Sequence, residues 1–349
     1  MAAEPQTPEA KLAREWIGEL DACDKWSRNY RERCRRIVRR YRNETSGLGE
    51  TPNSSTDTTR RFAILWSNIQ TLGPAVYART PQAVVSRRYK DQDPVGRYAS
   101  EILERALNYT TDQYDFDDMM RHGRDDYLLL GRGQAWVRYV PHKEIQVTND
   151  ADEEETDNGY AETTCDHVNN DDWGLTPCRE WDEASYVWRR VFMSRDELIE
   201  RFPKDGANIP LDWKPKDDPL DRNGYRSRSK KAAIYEIWDK DTRSVYWVSK
   251  SWPAGVLDQK PDWLKLDRFF PCPRPMMATT PPDQYLPVPD YVYYQDQAEE
   301  VDDLTSKIGT LADALRMVGI YAGEEKDGFI KVETGSGTAW VKALMMRKQ

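Results

Sequence analysis

Ile234-Tyr235-Glu236-Ile237-Trp238 and Ser244-Val245-Tyr246-Trp247-Val248 are two runs of β-branched and aromatic residues on either side of the turn-forming Asp239-Lys240-Asp241. Such side chains fit a pleated, packed surface, so the segment reads as a β-hairpin. Its flanks set the class of fold. Upstream, Tyr186 to Phe192 reads as a further strand, and Ser194-Arg195-Asp196-Glu197 has the spacing of a capping box, opening a short helix that ends at Pro203. Downstream, seven of the 21 prolines lie between Pro271 and Pro289, which predicts a stiff, extended connector without ladder hydrogen bonds. Val301, Leu304, Ile308, Leu311, Leu315 and Val318 then step by three and four, the period of a helix with one apolar seam, here placed over Asp290–Val318. Strands and helices in separate runs make an α+β chain. Only a short strand-like tail follows, to Gln349.

Toward the N-terminus the reading is mostly helical. Leu12, Trp16, Leu20, Cys23, Ser27, Tyr30, Cys34, Ile37 and Tyr41 mark one amphipathic helix of nearly thirty residues. Its far end carries eight arginines from Arg28 to Arg42, either a solvated face or a contact for an acidic neighbour or a phosphate backbone. A loop rich in Gly, Ser, Thr and Asn covers 43–59, and an apolar-periodic segment runs from Arg61 to Tyr77. Pro81 opens an extended stretch through Val84 and Val85. Asp93-Pro94 pairs an N-cap carboxylate with a proline at the first helical position, predicting a helix to about Tyr109. A further helix covers Asp115–Leu130, stops at Gly131-Arg132-Gly133, and is followed by a strand over Gln134–Val140. From Glu144 to Glu183 there are fourteen acids against Arg179 and His167, a composition that predicts partial mobility.

Composition limits the function. With 349 residues there is room for about two domains. Thirteen Trp and 19 Tyr against 7 Phe suit interfaces that are apolar at one end and wet at the other. A formal net charge of −9 argues against tight binding of nucleic acid but not against letting it pass. Five widely spaced cysteines without Cys-x-x-Cys point to free thiols in a reducing compartment. No charged leader with an apolar stretch opens the chain and no apolar run reaches membrane length, so no membrane partner is expected.

No catalytic site emerges from the motifs. There is no Gly-rich loop ending in Gly-Lys-Ser/Thr, and Gly131-Arg132-Gly133 lacks a third glycine and follows a helix, which makes it a C-cap and turn; no cofactor is expected. Cys165, His167 and Cys178 are one ligand short of a zinc site. The sharpest enzymatic alternative is a Mg-dependent nuclease, with Asp290 and Glu324-Glu325-Lys326 as the acids and lysine, but a long helix separates the two halves.

Several segments, taken in order, resemble the portal proteins of tailed bacteriophages. They are Trp66-Ser67-Asn68-Ile69-Gln70-Thr71-Leu72-Gly73-Pro74 through Pro81, Asp126–Gly133 with Trp136-Val137-Arg138-Tyr139, Glu236-Ile237-Trp238-Asp239-Lys240, Phe269-Phe270-Pro271-Cys272-Pro273 and Pro287-Val288-Pro289-Asp290-Tyr291. The resemblance spans roughly Leu12 to Tyr321. It implies a portal-like architecture: a helical wing over 1–190 containing the acidic segment 144–183, a small β-rich clip over 191–285, a stem helix over 286–320 and a tail over 321–349. It implies a homo-oligomeric ring of twelve subunits in the virion, assembled in the host cytoplasm. Double-stranded DNA would pass through that ring during packaging and ejection. Its partners would be the terminase large subunit, the capsid and head–tail adaptor proteins. A head-to-tail adaptor module is the alternative binding protein. Portal chains continue beyond the stem through a long wing helix and a crown, so the resemblance implies a C-terminally truncated member.

Residue roles follow from that placement. Two aromatic strands alone cannot bury both faces, so the hairpin is expected to project and to place Tyr235 and Trp247 in contacts between subunits. The seam of the stem helix, Leu304, Ile308 and Leu311 among it, is expected to pack on neighbouring helices, and Asp302, Ser306 and Asp313 to face the channel. The alternative for that helix is a plain amphipathic helix on the surface of a monomer.

Overall fold

The computed structural model describes residues 7–42, 62–87, 93–113, 116–140, 145–148, 154–157, 162–214, 230–316, 319–321, 329–334, 337–342 and 346–348. The chain is α+β and divides into two compact units, Met1–Val38 with Asn68–Asp290, and Arg39–Ser67 with Tyr291–Gln349. Helices are α1 (Pro8–Tyr41), α2 (Ile64–Val76), α3 (Pro94–Gln113), α4 (Phe116–Leu130), α5 (Arg195–Arg201) and α6 (Gln295–Arg316). Strands of the first unit are β1 (Arg132–Gly133), β2 (Ala135–Val140), β3 (Ile145–Thr148), β4 (Glu154–Asp157), β5 (Glu162–His167), β6 (Trp173–Leu175), β7 (Tyr186–Met193), β8 (Ala232–Asp239), β9 (Ser244–Val248), β10 (Asp258–Pro261) and β11 (Met276–Met277). The second unit adds β12 (Gly319–Tyr321), β13 (Phe329–Thr334), β14 (Gly337–Lys342) and β15 (Met346–Lys348), with β13 and β14 antiparallel and β12 parallel to β15.

The hairpin read from the sequence is β8–β9, in register with Asp239 opposite Ser244. Its turn is held by the Asp239 carboxylate, which accepts from the Asp241 N–H at 3.2 Å and the Thr242 hydroxyl at 2.6 Å. It lies inside a five-stranded antiparallel sheet ordered β10-β9-β8-β7-β6. Successive side chains of a strand point to opposite faces, and here both faces are apolar. Val187, Ile234, Trp238, Val245 and Trp247 join a core with Trp136, Trp173 and Phe269. Trp188, Tyr235, Ile237, Tyr246 and Val248 meet Leu20 and Cys23 of α1 on the other face.

The same heptad-like spacing that marks α1 in the sequence fixes what it buries: Leu20, Cys23, Ser27, Tyr30, Cys34 and Ile37 are all enclosed. Beyond the sheet the Tyr30 hydroxyl reaches the Leu130 carbonyl at 3.1 Å and Asn170 Oδ1 at 3.0 Å. All five cysteines are free, and burial pushes the Cys34 thiol up to about 11 and the Cys272 thiol up to about 12. Gly131 ends α4 as the sequence suggests, at φ +81°, a left-handed conformation that glycine adopts without strain, with its N–H on the Tyr127 carbonyl at 2.9 Å. The capping box forms too, Ser194 N–H donating to Glu197 at 2.7 Å and Glu197 N–H to Ser194 Oγ at 3.4 Å.

Several expectations are corrected. The hairpin does not project: Tyr235 and Trp247 are 5% and 7% exposed, because β7, β10 and α1 supply the partners that two strands alone lack. The boundary expected at residue 190 falls inside β7, whose eight residues pair with β8, so the segments on either side share one sheet. Of the acidic stretch, expected to be mobile in part, the second half is ordered: β5 pairs with β2, β6 joins the sheet, and Trp173 and Trp181 enter the core. Apolar residues interleaved among the acids outweigh the average composition there. Met276 and Met277 give the proline-rich connector a short ladder with β1.

Candidate subunit interface

Helix α3 is held to the first unit by its polar side. Asp93 caps it, accepting from the N–H groups of Val95 at 3.0 Å and Gly96 at 3.3 Å. Asn108 exchanges two hydrogen bonds with the backbone of Ala83, at 2.8 and 3.1 Å, and the Val85 N–H donates to Glu104 at 3.0 Å. The extended stretch expected after Pro81 is thus tied to the helix through its backbone. Glu104, Asn108 and Thr111 lie one turn apart on one face, which leaves the opposite face outward. That outward face is apolar, with Val95 73%, Ile102 68% and Tyr109 64% exposed, and Tyr98, Leu103 and Leu107 also exposed. An ordinary surface helix has the reverse arrangement. Arg105 lies along the same stripe, four residues before Tyr109, and has no ion-pair partner among the described residues.

Helix α6, in the second unit, is inverted in the same way. Its inward positions are Ala298, Asp302, Thr305 and Gly309, at helical spacing. The Asp302 carboxylate pairs with Arg40 and accepts the Phe62 N–H at 2.6 Å. Tyr291 packs edge-on against Tyr294 at 5.1 Å, and burial raises its hydroxyl pKa. Val301, Leu304, Ile308 and Leu311 face outward, Ile308 66% and Leu311 64% exposed. Of the residues expected to face a channel, Asp302 is thus neutralised inside its own unit, with a side chain only 13% exposed. Ser306 is half-buried, and the Asp313 side chain lies outside the described residues. The seam residues Leu304, Ile308 and Leu311 are exposed among the described residues, whereas Tyr235 and Trp247 are consumed by the core. Asp302→Asn is expected to lower the stability of the second unit by about 1–3 kcal/mol, since it leaves a largely enclosed guanidinium without its counter-charge; an unchanged thermal unfolding midpoint would show that the pair contributes nothing.

The basic end of α1 is divided between structure and surface. Arg31, inserted between Asp24 at 3.3 Å and the Trp188 ring at 5.5 Å, is structural. Arg28, Arg31 and Arg35 line an open cleft of about 480 Å³ with Lys25, Arg190, Asp21, Asp24 and Glu32, so bases outnumber acids there five to three.

The zinc candidates do not converge among the described residues. His167 bonds Asp126 at 2.8 Å, Cys165 stands opposite Val137 in the β2–β5 ladder, and burial pushes the Cys178 thiol up to about 12. No cluster of His, Cys, Asp and Glu suited to a metal occurs among the described residues, where Asp290 is exposed; Glu324, Glu325 and Lys326 lie outside them. Nor is any described helix long and apolar enough to cross a membrane. The stripe on α3 was hidden in the sequence because periodicity reports that a helix has an apolar face, not where that face points. The available signal was Glu104 and Asn108, opposite the stripe and suited to binding backbone. No known protein family matches the chain, and no curated protein matches it in sequence.

Proposed function

We propose that this chain is a ring-forming subunit of the portal type, a passive conduit for double-stranded DNA at a capsid vertex. The observation that carries the reading is that α3 and α6 both turn apolar faces to solvent while binding their own units through polar ones. Scattered exposed apolar residues need no explanation, but contiguous stripes mark association surfaces. The ordered set of portal-like segments supplies the kind of assembly. Net charge supports it further: twelve copies at −9 would line a passage that repels phosphate and lets DNA slide. In this reading the terminase large subunit supplies the packaging chemistry, and capsid and head–tail adaptor proteins dock around the ring.

The test is negative-stain electron microscopy of the purified chain across low and moderate salt. Closed rings with an axial hole are the expected result. Monodisperse monomers, or open filaments only, would sink the portal reading.

A further inference from the structure

We propose that the apolar face of α3 in one copy docks on the apolar seam of α6 in a second copy, so that neighbours join head to tail. This deepens the ring reading and rests on its self-association, but it needs no channel. Each half is unpartnered by the described residues of its own unit, and the two halves are different surfaces. An interface joining different surfaces is heterologous, and repeated it gives a ring if the rotation closes.

The areas are of the right size. Six exposed side chains of α3 offer on the order of 700 Å² and four of α6 on the order of 400 Å², together about the 1,000 Å² that a specific contact needs. Their charges also complement each other. Arg105 lies along the α3 stripe and Glu300 along the α6 seam, three residues after Gln297 and four before Leu304; neither has an ion-pair partner among the described residues. Asp296, Glu299 and Asp303 outnumber Lys307 on the remaining exposed surface of α6, a net acidic balance that favours a neighbour bringing an arginine. Ala99 and Ala106, both exposed, lie among the larger residues of α3 and leave room for a facing helix to come close.

The experiment uses the full chain carrying Ile102→Asp or Ile308→Asp. Both side chains are exposed, so each variant should fold as the parent does, which circular dichroism checks. By size exclusion with light scattering, the parent chain should self-associate, and each variant alone should be monomeric, its dissociation constant raised at least about 100-fold. An equimolar mixture should give dimers and nothing larger, because the intact α3 of one variant meets the intact α6 of the other and both remaining faces are blocked. Arg105→Glu alone should weaken association about tenfold, and adding Glu300→Arg should restore it. The proposal is overturned by a parent chain that stays monomeric at about 100 µM, by assembly that survives either aspartate, or by a mixture that yields no dimer. Mixed dimers together with a parent that never closes into rings would keep this contact and refute the portal reading; rings that survive both aspartates would do the reverse.

Discussion

Arg189→Met should destabilise the first unit by about 3–5 kcal/mol, because it leaves a carboxylate in the core without its cation. Glu236 accepts from Arg189 Nε at 2.8 Å and from the Trp238 indole N–H at 2.8 Å, and the two ionic side chains are only 13% and 10% exposed. Arg189 also stacks over the Trp136 ring at 4.9 Å. Methionine replaces the packing of the arginine stem but not its charge, so the loss reads mainly the electrostatic term. Adding Glu236→Gln should recover a large part of it, since a neutral amide still accepts from Trp238 without a buried charge. Urea unfolding of the two single variants and the double variant measures this. A loss below about 1 kcal/mol for Arg189→Met, or no recovery in the double variant, would mean that water reaches the pair.

Trp188→Ala should cost about 3–5 kcal/mol, through lost apolar burial and the cavity left behind. Its ring fills the space between the sheet and α1, donating its N–H to the Cys23 sulfur at 3.3 Å and meeting Tyr235 edge-on at 5.4 Å. Gly174, directly opposite on β6, is shaped to this ring, for a Cβ there would come within 2.5 Å of it. Gly174→Ala alone should therefore be destabilising, yet close to neutral when Trp188 is already alanine. Additive losses in the double variant would show that the ring and the glycine are not in contact.

What the sequence determined by itself is the local level. The period of three and four places α1 and α6, Asp93 and Ser194 start their helices, Gly131 ends α4, and the aromatic runs pair as β8 and β9. Each of these depends on neighbours within a few residues, where backbone geometry and capping decide the outcome. The α+β class follows from their order. What only the tertiary structure decided is which way each face turns. Tyr235 and Trp247 looked like surfaces in need of a partner and became core, because α1 from the far N-terminus covers Tyr235 on one face of the sheet while Trp263 and Arg201 enclose Trp247 on the other. Asp302 looked like the wet side of its helix and became the anchored side, because Arg40 and the Phe62 amide, more than 200 residues upstream, take its carboxylate. The α3 stripe and the α6 seam were left outside for the same reason. Burial is settled by contacts between segments distant in sequence, and a helix that can bind its own unit through polar groups is free to turn its apolar side toward another molecule.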